Sequence, residues 1–457
     1  MAGIGFELRK ILSKDSYSSL LRAYGYSAII GSGPWIISIV SIVIVSYLLS
    51  GAFGSGEVQL FTASITHVYA FSLILVGPLQ LVLTRFAADK LSAREPEAIF
   101  PSFLAALTVA GFVGGIGGIV FFGFGTEASL LYQLSAAGLM IYVCCIFIAS
   151  NYLTALLDYR EVVWAFFVGY VLSGLAAYGL GITWGVPAAM FGFAAGHAVL
   201  FLLLFRALRR GLGGEAQTSW EVLKYFKKFP SLMLCGLMYN LGIWVDKLLF
   251  WWFSDQHEQV NGLIFSARHY DVGIYLSLLS IVPGMAVFFL KIETDFAERF
   301  QAFFDLVEKG GTLQQLVDTR DEIADSLGRG FLNLFAVQGV VTAFLVVFAD
   351  RIPAIISISA IQLGIFRVTL FGAFLLVIFL SLLTILFYFD DRRGALLCTS
   401  VFVVANIIGS WATLQANEAW YGFGFVIAAG LAMVIAGWRV NSRLGSLEYH
   451  VFTSSQG

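Results

Sequence analysis

Charge is scarce in this sequence. Asp, Glu, Lys and Arg make up 12% of its 457 residues, against roughly 25% in an ordinary soluble protein. A soluble chain of this length has a surface to solvate, so the shortfall excludes that class. Cysteine is nearly absent. Cys144, Cys145, Cys235 and Cys398 all lie in apolar runs, without metal spacing or a disulfide framework, and read as small packing residues. Neither sign of charge dominates: the net is −2, which offers nothing to nucleic acid. HExxH, Cys-pair, nucleophile-elbow and P-loop patterns are missing, and no soluble segment is large enough to house such a site. The expectation is a protein that is not an enzyme and holds no metal or cofactor. The opening "MAGIGFELRKILSKDSYSSL" carries charges where a signal peptide needs an apolar core.

Long apolar runs are abundant instead. Hydrophobic residues are 59% of the chain, and "AIIGSGPWIISIVSIVIVSYLLS" (28–50) is one such run. A helix of roughly 20 residues crosses a bilayer core of about 30 Å. Only helices and closed barrels satisfy their backbone groups in lipid, and a barrel's shorter alternating runs are not seen. The sequence predicts an all-α integral membrane protein with about 12 transmembrane helices: 26–50, 58–86, 99–124, 128–155, 161–184, 186–207, 229–253, 270–291, 330–350, 362–389, 394–414 and 418–440. All but four of the 27 lysines and arginines fall on the face shared by the termini. Arg268 and Arg351 lie on the other face, and Lys247 and Arg367 within spans. The positive-inside rule then makes both termini cytoplasmic.

The basic loop 208–228 divides the spans six and six. This gives an N-terminal amphipathic cytoplasmic segment (1–25), a six-helix lobe (26–207), the linker, a second six-helix lobe (229–440) and a cytoplasmic tail (441–457). Each half opens on a span marked by proline and glycine: Gly31, Gly33 and Pro34 in the first, Pro230 and Gly236 in the second. Paired interrupted helices of this kind suggest gating elements in a transporter built from two repeats. Glycines at i, i+4, as in Gly192 and Gly196, let membrane helices approach closely.

Polar residues inside spans need a reason, because a charge at mid-membrane costs about 2.5–3.5 kcal/mol on insertion scales. The stretch "YNLGIWVDKLLFWW" (239–252) supplies several. Asn240, Trp244 and Lys247 share a helical stripe with Gly236 and Trp251. Asp246 points roughly 120° away, with Tyr239. One reading puts this stripe on an aqueous substrate pathway. In the other, Lys247 snorkels outward and Asp246 bonds a neighbouring helix. Adjacent charges so placed need not pair with each other. His67, Tyr69 and Arg367 join the candidate pathway residues, with helix-to-helix bonding or snorkelling as the alternatives.

The one sizeable non-membrane segment is a helical hairpin, 291–328. It carries nine acids against four bases. Phe296, Phe300, Phe303 and Phe304 fall on one face, Gly310 and Gly311 end the first arm, and Thr312 caps the second. The stripe either docks a cytosolic partner or packs on the protein's own helix ends.

The opening "MAGIGFELRKILSKDSYSSLLRAYGY" and the following "SGPW" (32–35) resemble the start of the PelG family, membrane transporters of Pel exopolysaccharide operons. Length and twelve-span layout agree over essentially the whole chain. The family belongs to a superfamily with multidrug extruders and flippases of lipid-linked oligosaccharides. The resemblance implies two six-helix lobes around a central cavity opened alternately to each side, with the first and seventh spans beside it. It implies export of an N-acetylgalactosamine-rich polysaccharide across the bacterial inner membrane. The implied partners are the cytosolic glycosyltransferase PelF and the membrane proteins PelD and PelE, together with the lipid bilayer. Two rivals remain open: a flippase of lipid-linked oligosaccharide and a non-conducting scaffold of the synthase.

Overall fold

The computed structural model describes residues 17–155, 159–212, 217–354 and 358–449. The start of the expected N-terminal segment (1–16) and the end of the tail (450–457) lie outside the described residues. The chain is helical nearly throughout: α1 (Tyr17–Ser50), α2 (Ser55–Ser92), α3 (Ile99–Gly118, prolonged by a π-helical turn Ile119–Phe124), α4 (Leu130–Ala155), α5 (Tyr159–Trp184), α6 (Val186–Leu212), α7 (Val222–Lys228) and α8 (Pro230–Phe253). A two-stranded hairpin follows, β1 (Glu258–Asn261) and β2 (Ile264–Ser266). Then come α9 (Arg268–Leu279), α10 (Val282–Lys291), α11 (Ala297–Glu308), α12 (Leu313–Val347), α13 (Ala360–Tyr388), α14 (Arg392–Gln415) and α15 (Phe423–Leu444). Among the described residues eleven helices are long and apolar enough to cross a membrane, and Ile36–Ser50 adds a shorter apolar helix where the first span was expected.

Helices α12 and α13 start where side chains supply the missing acceptors. At Thr312 the hydroxyl accepts from the Gln315 amide (3.3 Å) while the Gln315 side chain accepts from the Thr312 amide (2.8 Å), a reciprocal capping box. Ser359 and Gln362 repeat the device at α13. Two features differ from the sequence expectation. The span expected at 270–291 is two helices, broken at Ser280–Ile281. Pro283 lies in the first turn of α10, where its lack of an N–H is tolerated. The Gln338 side-chain amide on α12 donates to the Ser280 carbonyl (2.9 Å), satisfying an acceptor the break would leave bare. Conversely, the second arm of the hairpin and the span expected at 330–350 form one unbroken helix, α12. Its buried stripe of Leu316, Ile323, Leu327 and Leu334 carries the helix through Gly328 and Gly330.

The chain forms two compact units, Gly33–Arg268 and Met1–Ser32 with His269–Gly457. The first holds α2 to α8 and the hairpin. Its tightest packing joins α5 to α6: a β-carbon on Gly192 would come within 2.5 Å of the Ala176 carbonyl oxygen, and one on Gly196 would overlap the Ser173 backbone. These glycines permit the close approach that their spacing suggested. The helix α8 belongs to this unit through its crossing with α2, described below. In the second unit α13, α14 and α15 pack around Phe379, Phe402 and Phe425. One end of the unit is tied by Asp391. Its carboxylate accepts from Gly394 N–H (3.2 Å), Arg439 (2.5 Å) and Arg443 (2.7 Å).

Candidate functional site

The α8 helix begins with Pro230 in its first turn, a position that spares the helix a wasted donor. It runs without interruption through Gly236. There it crosses α2: a β-carbon on Gly77 would sit 2.8 Å from the Gly236 carbonyl oxygen, and one on Gly236 would overlap the Gly77 carbonyl. One turn on, Asn240 is buried. Its amide donates to the Gly236 carbonyl (2.9 Å) and to Gln80 Oε1 of α2 (3.2 Å). The crossing is therefore both a backbone contact and a polar bond between the two helices.

Asp246 and Lys247 are both fully buried and pair with each other. Lys247 Nζ lies 3.1 Å from Asp246 Oδ1 and donates to the Ile243 carbonyl at 2.8 Å. Side chains at adjacent helix positions diverge by about 100°, so the lysine stem must fold back to make this contact. It does so by reaching one turn towards the helix start, to Ile243, rather than outward. The ammonium sits 6.0 Å from the centre of the half-buried Trp244 ring. A buried pair of this kind is strongly destabilised when one partner is removed.

His67 of α2 meets the same helix. Its ring stacks on Trp251 at 4.2 Å, with Phe121 on another side at 5.5 Å. A carbonyl can only accept, so the 2.8 Å contact to Ala63 O places the proton on Nδ1. Nε2 is then an acceptor, buried and without a hydrogen-bond partner. Tyr69, half a turn away, faces elsewhere: its hydroxyl bonds the Tyr170 hydroxyl and lies 2.9 Å from His197 Nε2. His197 Nδ1 donates to Phe193 O (2.9 Å). Tyr69 must therefore donate to His197 and accept from Tyr170. This chain links α2, α5 and α6.

The structure thus brings Asn240, Trp244, Asp246, Lys247 and, through Trp251, His67 onto or against α8. Tyr239 is half-buried on the same helix. Arg367 stands apart in the second unit, in an exposed ion pair with Asp350 at 2.6 Å. Gly31, Gly33 and Pro34 fall within α1, and their side-chain surroundings lie outside the described residues. Of the phenylalanine stripe, Phe296 and Phe303 are buried. Phe296 and Phe300 pack edge-on against Tyr388 at 5.1 and 5.7 Å, and Phe304 remains exposed. Sequence reasoning passed over Gln80, the bond partner of Asn240, and Asp391. The signal for Asp391 was present: an acid between two spans, with Arg439 and Arg443 four apart at the end of α15.

The chain matches the family model described as "PelG: Putative exopolysaccharide Exporter (EPS-E)" over residues 1–452. No curated protein matches it. Among solved structures it is similar to an outward-facing multidrug resistance MATE family transporter of the MOP superfamily, with TM-score 0.66, 14% identity, and 93% of this chain and 96% of that chain covered. It is similar to a MOP superfamily transporter from Pyrococcus furiosus Vc1 (DSM3638), with TM-score 0.66, 13% identity, and 93% and 96% covered. A MATE structure in complex with MaL6 aligns with TM-score 0.67 at 13% identity, over 93% and 97%. At such identities the likeness is one of fold: an all-helical, multi-pass arrangement in two lobes. The family match spans nearly the whole length, and the chain belongs to the PelG family of exopolysaccharide exporters.

Proposed function

We propose that this protein carries a Pel-type, N-acetylgalactosamine-rich polysaccharide across the bacterial inner membrane, taking it from a cytosolic glycosyltransferase. The observation that carries the reading is the exporter-family match over residues 1–452, joined to a transporter fold. The protein performs no covalent chemistry and holds no cofactor. Its termini are cytoplasmic, on the lysine and arginine distribution. PelF is the synthase it serves, with PelD and PelE as membrane partners. The pathway runs past α8, where the half-buried Tyr239 and Trp244 offer aromatic faces suited to a neutral sugar, and Asn240, Asp246 and Lys247, buried and bonded here, join it when the helix moves. His67 supports that face from α2 through its stack on Trp251. Helix α8, from Pro230 through Gly236, and α1, at Gly31, Gly33 and Pro34, are the moving elements.

The decisive experiment measures polymer on each side of the inner membrane in cells with and without this protein. Polymer trapped in the cytosol of cells lacking it is the expected result. Absence of polymer from both compartments would transfer the assignment to a scaffold on which synthesis depends.

A further inference from the structure

The break at Ser280–Ile281 leaves a cavity of about 410 Å³ beside it, within the size range of small-ligand sites. Leu276, Leu279 and Pro283 form one wall, Val341 and Leu345 of α12 a second, and Phe366 of α13 a third. Ser280 is its one polar lining residue among the described residues. That residue is already engaged: its carbonyl accepts from Gln338 and its hydroxyl donates to the Ser277 carbonyl at 2.6 Å. The Gln338 amide oxygen abuts Gly284 instead. The lining therefore selects an apolar ligand.

Position narrows the choice. Val341 lies six residues before the end of α12, and Phe366 six after the start of α13. At 1.5 Å per residue both sit about 9 Å inside the helix ends, at the depth of lipid tails. On α12 the neighbouring Val340, Phe344 and Val347 are 70, 57 and 71% exposed. The membrane-crossing window of this helix is only 17% buried, the lowest of the eleven. The cavity thus lies beside an exposed apolar stripe of a helix long enough to cross the membrane. A void there forfeits dispersion contacts along its whole lining.

We propose that this cavity binds one acyl chain of a membrane phospholipid, lodged against the broken helix. The chain fills the wedge that Pro283 opens and supports the angle between α9 and α10. Gain of contact, not expulsion from water, holds it, since the chain leaves an equally apolar environment.

The test uses the full chain in nanodiscs containing a phospholipid with a diazirine in its acyl chain. After irradiation, labelled peptides are mapped by mass spectrometry. Labelling at 276–283 and 341–345 should exceed, at least severalfold, that at Ile408 and Val434, which are exposed to 64 and 62%. Val341→Trp fills the cavity and should cut labelling at 276–283 severalfold while sparing Val434. Should that variant fail to fold, Leu279→Phe fills the cavity from the opposite wall and is read the same way. Even labelling across all these positions would mean adventitious annular lipid only, and would overturn the proposal. Undiminished labelling at 276–283 in a folded, filled variant would do the same.

Discussion

Gly77 and Gly236 lie back to back where α2 crosses α8, each without the β-carbon that the other's backbone leaves no room for. This contact sets the depth at which Asn240 meets Gln80 one turn further on. Overpacking at such a crossing costs about 1–3 kcal/mol. Gly236→Ala should lower the melting temperature of the purified protein more than Gly77→Ala, because its β-carbon overlaps a carbonyl more deeply. A Gly236→Ala protein with wild-type melting would show that the helices separate freely here.

The Asp246–Lys247 pair separates a structural from a transport role. Asp246→Asn leaves a buried ammonium without its counter-charge, a loss of about 3–5 kcal/mol. Replacing both, as Asp246→Asn with Lys247→Met, removes the charge imbalance and should recover most of that stability. Stability is read by thermal melting of both variants and the wild type. On the pathway reading, the double variant accumulates in the membrane yet secretes little polymer. Full secretion from it would confine the pair to packing.

Much of the architecture was legible in the sequence because crossing a bilayer demands long uninterrupted apolar runs, and these are hard to mistake. Breaks within a run are another matter. Apolar residues flank Ser280–Ile281 on both sides, so hydropathy passes smoothly over the gap between α9 and α10, and Pro283 was the only sign. Gly262, at φ +54 in the two-residue loop of the hairpin, marked a turn that the short strands around it made easy to overlook. The stripe of α8 was read from helical angles alone. Those angles separate Asp246 from Lys247, but a four-carbon stem can fold back to Ile243. Gly236 carried a signal with two meanings, interruption or close approach, and only its partner Gly77 distinguishes them.

Asp391 gives the second unit a pH dependence. Burial alone would raise its carboxyl, but bonds from Arg439, Arg443 and the Gly394 amide outweigh it and hold the group at about 2. Its folded value is thus below the unfolded value of about 3.9. The stabilisation, about 2 kcal/mol, is complete above pH 4 to 5 and is lost as the pH falls towards 2. Asp391→Asn should melt lower at pH 6, and the gap from wild type should narrow as the pH approaches 3. A constant gap would place the effect in the packing of the turn and not in the charge.

The phenylalanine stripe from Phe296 into α11 divides into residues that hold the hairpin and one, Phe304, that is partly exposed. Phe296 is buried against Phe300 and Tyr388, so Phe296→Ala should cost about 3–5 kcal/mol and lower the yield of intact protein. Phe304 is 37% exposed and lies among the hairpin's acids. It also packs on the Phe300 and Phe303 rings at 5.0 and 5.7 Å, so its replacement by Asp should lower melting, but less than Phe296→Ala does. If the hairpin docks the cytosolic glycosyltransferase, Phe304→Asp should nevertheless abolish co-purification of that enzyme, and polymer output should fall with it. Normal co-purification with Phe304→Asp, alongside the stability loss in Phe296→Ala, would assign the whole stripe to intramolecular packing. The synthase would then have to engage another cytoplasmic surface.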